Sequence, residues 1–279
     1  MARQAKDRDL PQPVSRDPGV MSHPRPRVVA LLLAALLLLG SCSSSEEAAP
    51  PPPPAGPPLS YAAVGASETV GTGADKPETQ AWPRVLATTL EGRRQVTFTG
   101  LGYGGALVAD ALVSAVPKAE QLAPDLVTVW LNVNNIIAQS AIGVGSPATF
   151  EQQLGDLVRR VRRGGATTVL VANTPALDRL PAYLACLDPA GTRCLAPAAR
   201  ARFPQPDVLN AQVDAYNQAT ARVAQREGAV VVDLHAASLK ARAEGREASL
   251  VSADGFHPST AGHAAIAATF DEAAKKAGI

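Results

Sequence analysis

Leu126-Val127-Thr128-Val129-Trp130-Leu131 is a near-continuous apolar run of β-branched and aromatic residues. Strands buried on both faces of a parallel sheet read this way, whereas half-exposed strands alternate. Val169–Ala172 repeats the pattern further along. Around these runs, shorter ones predict further strands, giving the set Tyr61–Val64, Gln95–Thr99, Leu126–Leu131, Thr167–Ala172 and Ala229–Asp233. Between them, apolar residues at helical spacing predict helices over Gln80–Leu90, Ala106–Val116, Phe150–Arg163 and Asp207–Arg226. A last helix is predicted over Ser259–Lys276, with Ser259 as its N-cap. Strand alternating with helix means a parallel sheet covered on both faces, an α/β fold.

The stretch before the first strand has a different character. Residues 1–27 are polar, basic and Pro-containing, and Val28–Leu39 is almost purely apolar. That run is shorter than the roughly 18–20 residues a membrane-spanning helix needs, and it fits the apolar region of a secretory signal. It ends Leu39-Gly40-Ser41-Cys42, which resembles the lipobox of bacterial lipoproteins. The resemblance implies a signal peptide over 1–41 and lipid on Cys42, with an ordinary cleaved signal as the alternative. Residues 42–58 are Ser-, Glu- and Pro-rich and cannot bury a core. Pro50–Pro54 favours extended polyproline II, so this segment reads as a tether. Residues 59–279 make one domain. The expected location is the extracytoplasmic face of the membrane, or the exterior if the anchor is lacking.

With 26 basic and 25 acidic side chains, no net field draws the protein to nucleic acid. The cluster Arg159-Arg160-Val161-Arg162-Arg163 reads as an exposed helix side. If Cys42 carries lipid, Cys186 and Cys194 remain. They flank a turn-rich segment, and in an exported protein they are expected to pair, two free thiols being the alternative. No histidine or third cysteine lies near them to make a metal site. Residues 175–206 form an irregular insertion after a strand, a candidate wall for a cleft, since sites in open α/β sheets lie beyond the carboxyl ends of strands.

Four short blocks carry the chemistry. Asp254-Gly-Phe-His257-Pro258, just before the last helix, places an acid within one turn of a histidine. Gly65-Ala66-Ser67-Glu68 follows the first strand and supplies a hydroxyl that such a histidine can deprotonate. Gly100-Leu101-Gly102-Tyr103-Gly104-Gly105 follows the second strand, and Asn132-Val133-Asn134-Asn135 the third. Together, in this order, they resemble the SGNH (GDSL-type) hydrolase family of serine esterases and lipases.

The resemblance implies a flavodoxin-like three-layer α/β/α sandwich with a parallel sheet of about five strands. It implies Ser67 as nucleophile, His257 as base and Asp254 as the acid that orients it. The oxyanion hole would be the N–H groups of Ser67 and Gly102 with the Asn134 side chain. No cofactor and no metal is implied. The substrate would be a small-molecule, lipid or acylated-glycan ester, and the membrane would be met only through the lipid anchor. Ala66, Asn132 and Asn135 depart from the family's usual Asp, Gly and Asp. These departures motivate a competing reading, a non-catalytic binding module on the same fold. A third reading takes Gly100-x-Gly102-x-x-Gly105 as a dinucleotide loop, but no acid ends the next strand to hold a ribose. The other candidates read as structural: Glu68 as a solvated loop carboxylate, Trp82 and Trp130 as core, and His263 as a packing or surface residue. His235, near Asp233, is the one rival base.

Overall fold

The computed structural model describes residues 56–192, 194 and 197–279. The expected signal segment, Cys42 and the tether as far as residue 55 lie outside these. Strands β1 (Gly56–Gly65), β2 (Arg94–Gly100), β3 (Leu126–Trp130), β4 (Thr168–Ala172) and β5 (Val230–Val232) form one sheet. Their order is β2-β1-β3-β4-β5 and every pair is parallel. This is the flavodoxin-like order, with the direction of winding reversing between β1 and β3. All five predicted strands are present. β1 begins at Gly56, three residues before the expected start of the domain.

The reversal decides which helix covers which face, because right-handed crossovers in opposite directions put their helices on opposite sides. Helices α1 (Pro77–Gln80) and α2 (Trp82–Glu91) connect β1 to β2. α3 (Val108–Ser114), α4 (Val116–Leu122), α5 (Asn132–Ile142), α6 (Pro147–Arg162), α7 (Pro181–Leu187) and α8 (Pro206–Glu227) lie in the connections running the other way. After β5 come α9 (Leu234–Ala243), a 3-10 turn at Glu247–Leu250, and α10 (Thr260–Lys276). α10 packs beside α2 on one face, while α6 packs with α3, α4 and α8.

The core follows from the apolar strands. Ala62, Ala63, Val64, Leu126, Val127 and Val129 are fully buried. Thr128, the polar member of β3, is also buried and shares a 3.0 Å hydrogen bond with Tyr61 Oη. Trp82 of α2 stacks on Phe270 of α10, with ring centroids 4.2 Å apart and planes 11° from parallel. Both rings are excluded from water, so the first and last helical connections share one aromatic contact.

The helices depart from the sequence expectation where proline restarts the chain. The helix expected over Gln80–Leu90 is two, because Ala81 is extended (φ −56°, ψ 137°) and Pro83 opens a new first turn. The one expected over Ala106–Val116 divides at Ala115, ahead of Pro117. Ser259 caps α10 as predicted, its Oγ accepting from Gly262 N at 3.1 Å. The Arg159–Arg163 cluster lies at the end of α6 and is largely paired: Arg160 binds Glu120 (2.7 and 2.9 Å), and Arg162 Nε donates to the Gly228 carbonyl.

Candidate active site

Ser67 stands two residues beyond the end of β1, on a tight turn. Thr69 N and Val70 N both donate to the Ala66 carbonyl (3.0 and 3.3 Å), and Thr72 N donates to Ser67 O at 3.0 Å. The turn fixes Ser67 at the carboxyl edge of the sheet, beside the β1/β3 reversal where ligands bind in this topology.

His257 reaches the same point from the other end of the domain. Val251 and Pro258 form an antiparallel bridge, and Ser252 N donates to His257 O at 2.8 Å, closing a small loop. Asp254 organises it from within. Its Oδ1 accepts from Phe256 N (2.8 Å), His257 N (2.9 Å) and Ser252 Oγ (2.8 Å), an Asx-type turn. Its Oδ2 lies 2.6 Å from His257 Nδ1. His257 Nε2 lies 3.0 Å from Ser67 Oγ. An ionised carboxylate only accepts, so Nδ1 carries the proton and the Nε2 lone pair is left to receive the serine hydroxyl. Partial burial alone would raise the Asp254 carboxyl. The hydrogen bonds from His257, Phe256 N and Ser252 outweigh it and hold the group down at about 2.

A glycine seats the two loops together. At Gly73 (φ +95°) a Cβ would stand 2.3 Å from the Pro258 carbonyl oxygen and 3.0 Å from His257 Cβ. No other residue allows this approach in that backbone conformation. His263 supports the same junction. It is fully buried, its Nδ1 accepts from Trp82 N (3.3 Å) and its Nε2 donates to Thr72 O (3.1 Å). Burial lowers its basicity, with the Thr72 bond opposing and the charge of His257 adding to the fall, so it is held as the neutral imidazole these two bonds require.

The expected oxyanion donors are Ser67 N, Gly102 N and Asn134 Nδ2. Leu101 N and Tyr103 N donate to Ala63 O and Gly65 O, but among the described backbone bonds neither Ser67 N nor Gly102 N has an acceptor. The reason for glycine at 102 is internal: a Cβ there would meet Thr69 Cγ2 at 2.8 Å. Thr69 of the nucleophile turn thus packs into the space left by Gly102. Asn134 lies in the first turn of α5, where its Nδ2 donates to the Ala106 carbonyl at 3.1 Å and keeps a second hydrogen. The block Asn132–Asn135 is a helix start rather than a polar loop. Asn135 Oδ1 accepts from Val108 N (3.2 Å), and buried Asn132 donates to Ala172 O (3.0 Å). The N–H of Leu107, at the start of α3, is taken by Asp110 (3.0 Å). With Asn135 and Asp110 already on these N–H groups, the glycine loop offers no helix terminus to a pyrophosphate.

Glu68 corrects the sequence reading: it is 5% exposed, not solvated, and its Oε2 lies 3.3 Å from Ser67 Oγ, whose one hydrogen is directed to His257 at 3.0 Å. No local signal marks this, since a glutamate after a strand ordinarily faces water. Burial raises its carboxyl above the usual range, opposed by its own backbone N–H, the attraction of His257 and the nearby Ser67 hydroxyl. His235 is occupied elsewhere, with Nδ1 on Thr174 O at 3.1 Å. Trp82 and Trp130 are buried, as expected. Among the described residues no group of three His, Cys, Asp or Glu side chains is placed to hold a metal ion.

The insertion leans on the His257 loop. Ala182 N of α7 donates to Gly255 O at 3.0 Å. In the same helix, Cys186 is bonded to Cys194, closing the short loop anticipated from the sequence.

A sheet of this order with a Ser67–His257–Asp254 hydrogen-bond relay at its reversal point is an arrangement that serine hydrolases use. The model of the GDSL-like Lipase/Acylhydrolase family matches residues 63–265, and the chain belongs to that family. Solved structures share the fold. A GDSL-like lipase structure from Parabacteroides merdae has a TM-score of 0.62 at 16% identity, covering 78% of this chain and 95% of its own. An alpha/beta hydrolase enzyme from the metagenome of Lake Arreo, Spain, has 0.58 at 21%, with 78% and 95% covered. The lipase/acylhydrolase from Enterococcus faecalis has 0.56 at 18%, with 77% and 94% covered. No curated protein matches the chain.

The Gly73 junction sets a test of this architecture. Gly73→Ala is expected to lower stability by more than about 1 kcal/mol. Gly104→Ala, where a Cβ would meet nothing within 4 Å, should stay within about 0.5 kcal/mol of the parent. Urea unfolding of both variants measures the difference.

Proposed function

We propose that this protein hydrolyses carboxylic esters through an acyl-enzyme on Ser67. The observation that carries the reading is the continuous relay from Asp254 Oδ2 through His257 to Ser67 Oγ, at 2.6 and 3.0 Å. His257 takes the Ser67 proton as Oγ attacks the ester carbonyl, and Asp254 stabilises the imidazolium that forms. The N–H groups of Ser67 and Gly102 and the free hydrogen of Asn134 Nδ2 receive the negative oxygen. The imidazolium then protonates the leaving alcohol. Water repeats the sequence, returning Ser67 and releasing the acid.

Two kinetic results follow. Asn134→Ala should lower kcat by about 10²–10³ on an acetyl or butyryl ester. A loss under about tenfold would remove Asn134 from the oxyanion site.

The pH profile has a definite sign. The base works as neutral imidazole, so activity should fall as pH drops from about 8 to 5. Asp254, held at about 2, stays anionic throughout and adds no second limb. A flat profile, with chemistry rate-limiting, contradicts this role of His257.

We further propose that the protein is exported and held at the membrane by lipid on Cys42. Support comes from the apolar run 28–39, the lipobox-like 39–42 and the Cys186–Cys194 bond, which belongs in an oxidising compartment. The expected outcome is metabolic fatty-acid labelling of the full chain in a bacterial host, lost in Cys42→Ser together with membrane association. Persistent membrane association of the unlabelled variant would overturn the anchor.

A further inference from the structure

The hydroxyl of Ser67 has one hydrogen and two neighbours placed to take it. His257 Nε2 lies 3.0 Å from its Oγ, and Glu68 Oε2 lies 3.3 Å from the same atom. With Asp254 on Nδ1, Nε2 is the acceptor and receives the serine hydrogen. Oγ then turns only lone pairs toward Glu68. An ionised carboxylate also offers only lone pairs, so a charged Glu68 would set two acceptors against each other with no proton between them. A neutral carboxylic acid donates its O–H to Oγ instead. At 3.3 Å this bond is long, as hydrogen bonds to a catalytic oxygen commonly are before substrate binds.

The surroundings of Glu68 favour the neutral form. The side chain is buried and shares the lining of an apolar cavity with Trp130, Val133, Leu234, Phe256 and Ile266. No lysine or arginine lines that cavity, and its other charged residue, Glu247, is held by Arg242 at 2.9 Å. A carboxylate is attracted here by His257 alone, and its own backbone N–H gives it one hydrogen bond. That N–H suits the neutral acid equally, whose carbonyl oxygen accepts while its hydroxyl donates. Burial outweighs these influences and raises the carboxyl. An apolar site can hold a carboxylic acid neutral at physiological pH so that it donates a hydrogen bond. The same protons could be arranged as a Glu68 carboxylate and a His257 imidazolium on either side of Ser67. That arrangement leaves no neutral imidazole to act as base and buries a charge against the apolar wall.

We propose that Glu68 is a further catalytic residue in its protonated form, its carboxylic O–H donating to Ser67 Oγ and extending the relay to Glu68–Ser67–His257–Asp254. This inference rests on the ester-hydrolase reading above. In the resting enzyme the bond turns the Oγ hydrogen toward Nε2. During breakdown of the acyl-enzyme, the bond between the acyl carbon and Oγ breaks and its electron pair goes to Oγ. His257, which has taken a proton from the attacking water, delivers that proton to Oγ. The Glu68 O–H stabilises the oxygen while charge is on it and keeps its own proton throughout.

The test uses the full chain in detergent, as wild type, Glu68→Gln and Glu68→Leu, with thermal unfolding of each to confirm the fold. Glutamine is close in shape, uncharged and a donor through its amide, so it stands in for the neutral acid and not for the carboxylate. Glu68→Gln is expected to keep kcat on ethyl butyrate within about threefold of wild type, and Glu68→Leu to lower it about tenfold. The infrared difference spectrum of wild type against Glu68→Gln at neutral pH should show the carbonyl band of a neutral carboxylic acid, moved by isotopic labelling of glutamate. A carboxylate band in its place would overturn the proposal. So would a loss in Glu68→Gln as large as in Glu68→Leu, or a folded Glu68→Leu with unchanged kcat. If the leucine variant does not fold, the glutamine variant and the band decide. A wild type that cleaves no ester contradicts the hydrolase reading, and the band then still decides for or against the neutral acid.

Discussion

The hydrogen bond between His257 Nε2 and Ser67 Oγ joins residues 190 apart in sequence, and much of the architecture serves to keep it at 3.0 Å. Because winding reverses at β1, the strand that delivers the serine is internal to the sheet, and the last helix can return beside it. Several independent contacts fasten that return. Trp82 stacks on Phe270, buried His263 bridges Trp82 N and Thr72 O, and Asp75 pairs with Thr260 at 2.9 Å. Gly73 removes the one side chain that would hold the two loops apart. None of these groups touches a reacting atom. They hold the base where a 1 Å error would be costly to rate.

Two carboxylates flank this bond in opposite environments. Asp254 is half-exposed, surrounded by donors and held at about 2. Glu68 is enclosed and shifted upward by burial. Environment alone separates two groups of nearly equal intrinsic acidity, the usual means by which a site assigns different work to similar side chains. The residue before the serine is Ala66, so the acid of the nucleophile turn follows Ser67 instead of preceding it. Its carboxylate lies 3.3 Å from Ser67 Oγ.

The sheet was legible because its strands are short, apolar and β-branched, and because each catalytic block directly follows or precedes a regular element. Ser67, His257 and Asp254 could be paired from residue type and position alone. What could not be read depends on distant packing. α5 was hidden because Asn132–Asn135 is a poor helical sequence, and its amides find their partners in distant backbone, at Ala172 O, Ala106 O and Val108 N. α9 is similarly announced only by Asp233, whose side chain caps it through Ala236 N. The burial of Glu68 was not legible, because a glutamate after a strand ordinarily faces water and no local window contains the distant packing that encloses it. Gly102 was singled out for the approach of its backbone to a substrate; the structure gives its missing side chain another use, making room for Thr69.

The most direct measurement is the intact mass and peptide map of the protein after exposure to a fluorophosphonate. The account predicts one covalent adduct on Ser67, absent in Ser67→Ala and formed far more slowly in His257→Ala. A folded protein that takes no adduct, or takes it on another residue, would contradict the claim that His257 activates Ser67.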